Sequence, residues 1–259
     1  MESLWVRTRS RAWAKGKAWV EDGEIVLDEH HVEKVYGFDS PVESERMAFE
    51  LANLSQQLGD ERAILLFVKR WGLLWHGADD LLGSRECRES LQDWWIEASR
   101  LNQVGVFYQS ILDAKRQESV RPIQDFLRRW GGMGFPSLVS SSEHFVHNYI
   151  YSASLMLQGM INDGLNMESV EISDSRVRER RCWWGLSAVG PGEFQITQYP
   201  PDLLSRAYSA FAVLIANSAE IRACQVCGKP FRPKTRRSEA CEEHVNTNRS
   251  QRNRGTARR

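Results

Sequence analysis

The residues whose types and spacing point most directly to chemistry lie near the end of the chain. Cys224-Gln-Val-Cys227 is followed by Gly228 and Phe231, and then by Cys241-Glu-Glu-His244. Three cysteines and a histidine thus form two pairs, each with two intervening residues, separated by a thirteen-residue gap. Zn²⁺ takes four tetrahedral ligands from thiolate sulfur and imidazole nitrogen, and a pair spaced in this way can reach one ion. The first pair suits a knuckle-like turn, where Gly228 relieves the crowding as backbone amides bend towards sulfur. The second pair is spaced (i, i+3), which sets both side chains on one face of a helical turn. A redox or disulfide role for Cys224 and Cys227 is the first alternative. It calls for a preceding strand and a following helix, and Pro230 and Pro233 work against that helix. Unrelated buried thiols are the second. With four protein ligands and no position for water, a zinc ion here would be structural.

The surroundings of these pairs are basic. From Arg222 to the end there are eleven Lys or Arg against three Asp or Glu, whereas the preceding 221 residues carry 23 against 31. An acidic body with a basic end points to contact with nucleic acid or a membrane, or to a tail folding back on its own body. Lys229, Arg236 and Arg237 can offset the anionic thiolates. Lys229, Arg232, Lys234, Arg236, Arg237, Arg249, Arg252 and Arg254 are the candidate nucleic-acid contacts. Arg236, Arg237, Arg249 and Arg252 are the ones expected on phosphates. Arg and Asn could read guanine and adenine edges if the tail enters a major groove. The run from Val245 to Arg259 has no core of its own, so it is either a solvated tail or a phosphate-binding arm ordered on contact.

The succession Cys-x-x-Cys-Gly-x-x-Phe, a basic run, Cys-x-x-His and an Arg/Asn-rich end resembles the zinc finger of the bacterial CGNR family, over Cys224 to Arg259. In that family the finger closes a chain whose larger helical part is a stress-induced transcription regulator (ABATE) domain. The resemblance implies nucleic-acid binding, DNA ahead of RNA, and a transcriptional or stress/defence role. This chain is a divergent relative by that reading: its second pair ends in His244, and its nearest echoes of the Cys-Gly-Asn-Arg signature are Asn248-Arg249 and Asn253-Arg254.

The elements that must position the pairs are mainly helical. The expected fold is mainly α with small β elements (α+β): a helical body over 1–221 with short antiparallel hairpins, then a treble-clef or ribbon-like zinc finger over 222–259. Residues 1–16 read as a solvated arm whose Trp5 and Trp13 dock on the core, with a basic aromatic surface as the alternative. Ala18–Val20 and Glu24–Leu27 flank Asp22-Gly23 as a hairpin, and a third short strand follows near Val32–Tyr36. His30 and His31 read as surface residues.

Ser40, Pro41 and Glu43 open a helix with Met47, Leu51, Leu54 and Leu58 on one stripe, ended by Gly59. Asp60 caps a second helix with Ile64, Leu65, Val68, Trp71 and Leu74 or Trp75 inward. Ser84 caps a third helix, with Cys87 on its first turn. Leu91, Trp94, Trp95, Ala98 and Leu101 lie inward, and Gly105 is a point of interruption. A short helix covers 121–130, and Gly131–Pro136 is a flexible turn without the context of a phosphate loop. A helix from Ser140 to about Gly164 carries Phe145, Tyr149, Ser152, Leu155, Met156, Met160 and Ile161. Strands are expected at 170–172, 182–189 and 193–199, and Asp202 opens a last helix leading almost directly to Cys224.

Other classes find less support. His144 and His147 lack a partner carboxylate, and there is no P-loop or nucleophile elbow, so no enzyme is expected. A protein-interaction module of a stress or defence complex, working through the acidic helical body with a purely structural finger, is the alternative function. No apolar run approaches the roughly 20 residues that span a bilayer, so no membrane contact is expected. Sparse cysteines and the lack of a signal-type start suit the cytoplasm.

Overall fold

In a computed structural model the described residues are 7–8, 13–15, 17–28, 33–35, 41–75, 86–130, 145–165, 183–190, 193–199, 202–235, 238–241 and 244–245. The fold is α+β, and helix predominates among these residues. No helix among them is long and apolar enough to cross a membrane. The chain divides into two compact units, 1–101 with 161–217 and 102–160 with 218–259.

In the first unit, β1 (Arg7–Thr8) pairs in parallel with β8 (Glu193–Tyr199), which pairs antiparallel with β7 (Trp183–Gly190). Strands β2 (Trp13–Lys15) and β5 (Glu33–Val35) form a two-stranded ladder. The stretch expected to be a solvated arm therefore contributes to two sheets. The hairpin at Asp22-Gly23 forms as expected. Both residues take positive φ, 51° and 80°, which lets β3 (Ala18–Glu21) return antiparallel as β4 (Glu24–Asp28).

The third strand of that sheet corrects the sequence reading. Residues Glu86–Ser90 are β6, paired with β4 so that Leu27 faces Cys87, and the helix α3 begins only at Leu91. A helix from Ser84, itself outside the described residues, is thereby excluded. The reason is a period of two: Cys87 and Glu89 are buried while Arg88 between them is exposed. Glu89 made this pattern hard to recognise. Its buried carboxylate accepts from the Leu74 and Trp75 amides (3.0 and 2.7 Å) and from the Trp94 indole (2.8 Å).

Around this sheet α1 (Pro41–Leu54) buries Met47, Leu51 and Leu54 as expected. Leu58 leaves the stripe, because a 3-10 turn over Ser55–Gln57 rotates it outward to 65% exposure. The Asp60 carboxylate receives the Arg62 amide at 3.1 Å and starts α2 (Glu61–Trp71), which buries Ile64, Val68 and Trp71 together with Phe67. Phe67 meets Trp94 edge to face at 5.6 Å. Asp202 caps α6 (Leu203–Ala216) by accepting the Ser205 amide at 2.7 Å. This helix is buried on almost all sides through its first two turns, and its Arg206 reaches Ser44 of α1 at 2.9 Å. Tyr208 on α6 donates to Glu97 (3.2 Å); burial, then the Glu97 carboxylate, raise its phenol well above the usual range. Opposite it, a Cβ added at Gly164 would fall on the Tyr208 ring.

The helix α3 (Leu91–Gln117) enters the second unit at Asn102 and passes Gly105 without interruption. Phe107 stacks on Phe126 of α4 (Arg121–Arg129) with centroids 4.6 Å apart. Most of α5 (Phe145–Leu165) belongs here. It buries Tyr149, Ala153 and Leu157, whereas Tyr151 and Leu155 are exposed at 61% and 50%. Leu155 is thus outside the expected stripe. His30, His31, Gly131–Pro136, Ser140, Glu143, His144 and residues 170–172 lie outside the described residues.

Candidate metal centre

A two-residue ladder builds the first half of the site. Strand β9 (Arg222–Ala223) pairs antiparallel with β10 (Pro230–Phe231), Ala223 opposite Pro230 and Arg222 opposite Phe231. Between them the Gly228 amide donates to the Cys224 carbonyl (2.7 Å) and the Cys224 amide to the Lys229 carbonyl (2.9 Å). Closing so tight a loop needs a left-handed residue, and Gly228 supplies it with φ 71°. Pro230, which argued against a helix after Cys227, here sits on a strand. The second half is a turn in which the His244 amide donates to the Cys241 carbonyl at 2.9 Å.

These two halves bring Cys224, Cys227, Cys241 and His244 together, with one potential ligand atom from each lying within 4.8 Å of every other. Cys227 and Cys241 sulfurs are 3.9 Å apart, and His244 Nδ1 is 3.2 Å from the Cys241 sulfur and 4.0 Å from that of Cys224. A tetrahedral ion with metal–sulfur bonds of about 2.3 Å and a metal–nitrogen bond of about 2.0 Å needs S···S of about 3.8 Å and S···N of about 3.5 Å. The donor set therefore fits a single tetrahedral metal ion. No disulfide joins these cysteines.

The electrostatics fit as well. Burial works to raise the Cys224 thiol, but the amides of Cys241, Cys227 and Val226 directed at its sulfur prevail and bring it down to about 6. Burial, followed by the neighbouring Cys224 and Cys227, pushes Cys241 up to about 12. Three thiols crowded together resist shared ionisation, and a divalent cation at their centre removes that resistance. Among the described residues the apolar support is small: Cys224, Ala240 and Cys241 are buried, with Cys227 and Phe231 packed on them. A module with so little core gains most from a metal.

Hydrogen bonds between described residues join the halves. The Gln225 amide donates to the Glu239 carbonyl at 3.0 Å, and Arg222 Nη1 donates to the Ser238 carbonyl at 2.9 Å. Arg222 is itself held by Glu220 at 2.7 and 2.8 Å, and Arg116 of α3 holds the same carboxylate at 2.8 Å. Burial tends to raise the Glu220 carboxyl, yet hydrogen bonds from Arg222 and Arg116 bring it below its ordinary value. Nothing in the sequence pattern singled out this chain of contacts, because Arg116 and Glu220 are 104 positions apart.

Of the candidate nucleic-acid contacts, Lys229 is half-buried and Arg232 and Lys234 are exposed. Arg236, Arg237, Arg249, Arg252 and Arg254 lie outside the described residues. Compared with protein-family models, curated proteins and solved structures, the chain matches none of them.

Proposed function

We propose that the chain is a nucleic-acid-binding protein, favouring DNA over RNA, in which a structural Zn²⁺ holds the C-terminal module as a basic platform. The observation that carries this reading is the closed set of four protein donors, Cys224, Cys227, Cys241 and His244, inside a segment with eleven basic residues and three acidic ones. Three soft sulfurs and one imidazole in tetrahedral spacing favour zinc over hard cations. With every coordination position supplied by protein, the ion stabilises structure and leaves no place for a reacting water.

What the platform then offers is charge. Arg232 and Lys234 project from it, and Arg236, Arg237, Arg249, Arg252 and Arg254 follow in sequence. Such groups bind phosphates and displace counterions, so affinity falls steeply with salt. A role in transcriptional or stress/defence regulation rests on the resemblance to the CGNR family alone.

Fluorescence anisotropy of the zinc-loaded chain with labelled random duplex DNA, single-stranded DNA and RNA, across a salt series, tests the proposal. Salt-dependent binding that weakens for every sequence in the Arg249→Ala/Arg252→Ala variant, with a shallower salt slope, is the expected outcome. No binding at low salt would remove the reading. A protein-interaction role is the second reading, favoured by Tyr151 and Leu155, which lie one turn apart on α5 and are both exposed.

A further inference from the structure

Nucleic-acid binding, if it runs through the zinc module, also assigns a role to the metal-bound histidine. The hydrogen-bond-range contacts of the His244 ring are both made through Nδ1, to the sulfurs of Cys241 and Cys224. Coordination through Nδ1 fixes the neutral tautomer that carries its proton on Nε2. The two nitrogens of an imidazole point in divergent directions, so that Nε2–H is directed away from the ion. Metal-bound histidines almost always donate this second N–H to an acceptor, and the ion polarises the ring and strengthens the donor. Among the described residues no acceptor receives it, although the ring is only half-buried.

We propose that His244 Nε2–H is a phosphate-binding donor, aimed at a phosphodiester oxygen of the bound nucleic acid. This rests on the nucleic-acid reading and extends it from the basic side chains to a donor within the metal centre. A zinc ion with three thiolates leaves the centre one unit negative, so a neutral donor there needs cationic neighbours to make a phosphate welcome. Arg232 and Lys234, exposed in the same module, supply positive charge. The division of labour follows the usual one: flexible cations supply affinity, and a fixed N–H sets the position of the backbone.

The test must remove the N–H without changing charge or the metal ligand. The full chain can be assembled by joining recombinant residues 1–240 to synthetic 241–259 through Cys241, with the His244 ring either native or methylated on Nε2. Zinc per chain and anisotropy with random duplex DNA are measured for both. The expected result is equal zinc content, DNA binding about tenfold weaker for the methylated chain, and an unchanged salt slope, because a neutral donor displaces no counterion. Equal DNA affinity with zinc retained would overturn the proposal. So would loss of zinc on methylation, which would make Nε2 the ligand. If the native assembled chain shows no salt-dependent binding, the nucleic-acid reading itself falls and the histidine role falls with it.

Discussion

Arg222 is the residue through which the geometry of the metal centre can be perturbed without touching a ligand. Its backbone lies in β9, two positions before Cys224, and its guanidinium holds the Ser238 carbonyl three positions before Cys241. The same side chain pairs with Glu220 at 2.7 and 2.8 Å, and both partners are about one-fifth exposed, at 23% and 21%. Arg222→Ala removes one charged hydrogen bond to a half-buried carbonyl and one two-point ion pair. Glu220 keeps Arg116, so no isolated charge is left behind. A hydrogen bond to a charged group contributes about 1.5–3 kcal/mol, and partial exposure reduces this, giving an expected loss of about 2 kcal/mol. Where the metal-free module leaves the two halves apart, that loss appears in zinc affinity, as weakening of roughly 30-fold. Competition against a chelator of known zinc affinity measures it, with Arg222→Lys expected between the variant and the natural chain because Lys loses the forked geometry. A zinc affinity within twofold of the natural chain, with the variant folded, would refute the idea that Arg222 preorganises the site.

Other expectations concern the body and the thiols. Gly164→Ala places a Cβ on the Tyr208 ring, which forces repacking in the first unit, so the denaturant midpoint should fall by the equivalent of about 1–3 kcal/mol. Glu89→Ala strands the Leu74 and Trp75 amides and the Trp94 indole, and thermal unfolding should report a loss of about 3 kcal/mol or more. In the metal-free chain the lowered Cys224 thiol favours the folded state once ionised. Its contribution should grow as pH rises from about 6 towards 9 and be lost on acidification through about 6. The raised Cys241 thiol acts in the opposite sense, with stability present below about 9 and lost as pH rises towards 12. Urea midpoints against pH should show the first rise in the metal-free natural chain and not in Cys224→Ser.

How far the sequence could be read depended on where the information lay. The two Cys/His pairs were legible because metal spacing is a local property, and a knuckle and a helical turn each need only four residues. The Asp22-Gly23 hairpin and the Asp60 and Asp202 caps were legible for the same reason, since each is one side chain or one turn acting on adjacent backbone. Strand β6 was not, because Glu89 turns inward to meet amides that are 14 and 15 positions away, and a polar residue at an inward position erases the hydrophobic alternation. Leu58 departs from the stripe because the α-helical period does not continue through a 3-10 turn, which advances each residue by a different angle. Strands β1 and β2 are so short that only their partners, β8 and β5, define them. The path from Arg116 through Glu220 to Arg222 exists only once the fold brings distant charges together.

Zinc K-edge X-ray absorption on the purified, zinc-loaded chain tests the central claim most directly. Three sulfur scatterers at about 2.3 Å and one nitrogen at about 2.0 Å, with imidazole outer-shell features, are predicted. A shell dominated by oxygen or nitrogen, or fewer than three sulfurs per ion, would contradict a centre built from Cys224, Cys227, Cys241 and His244.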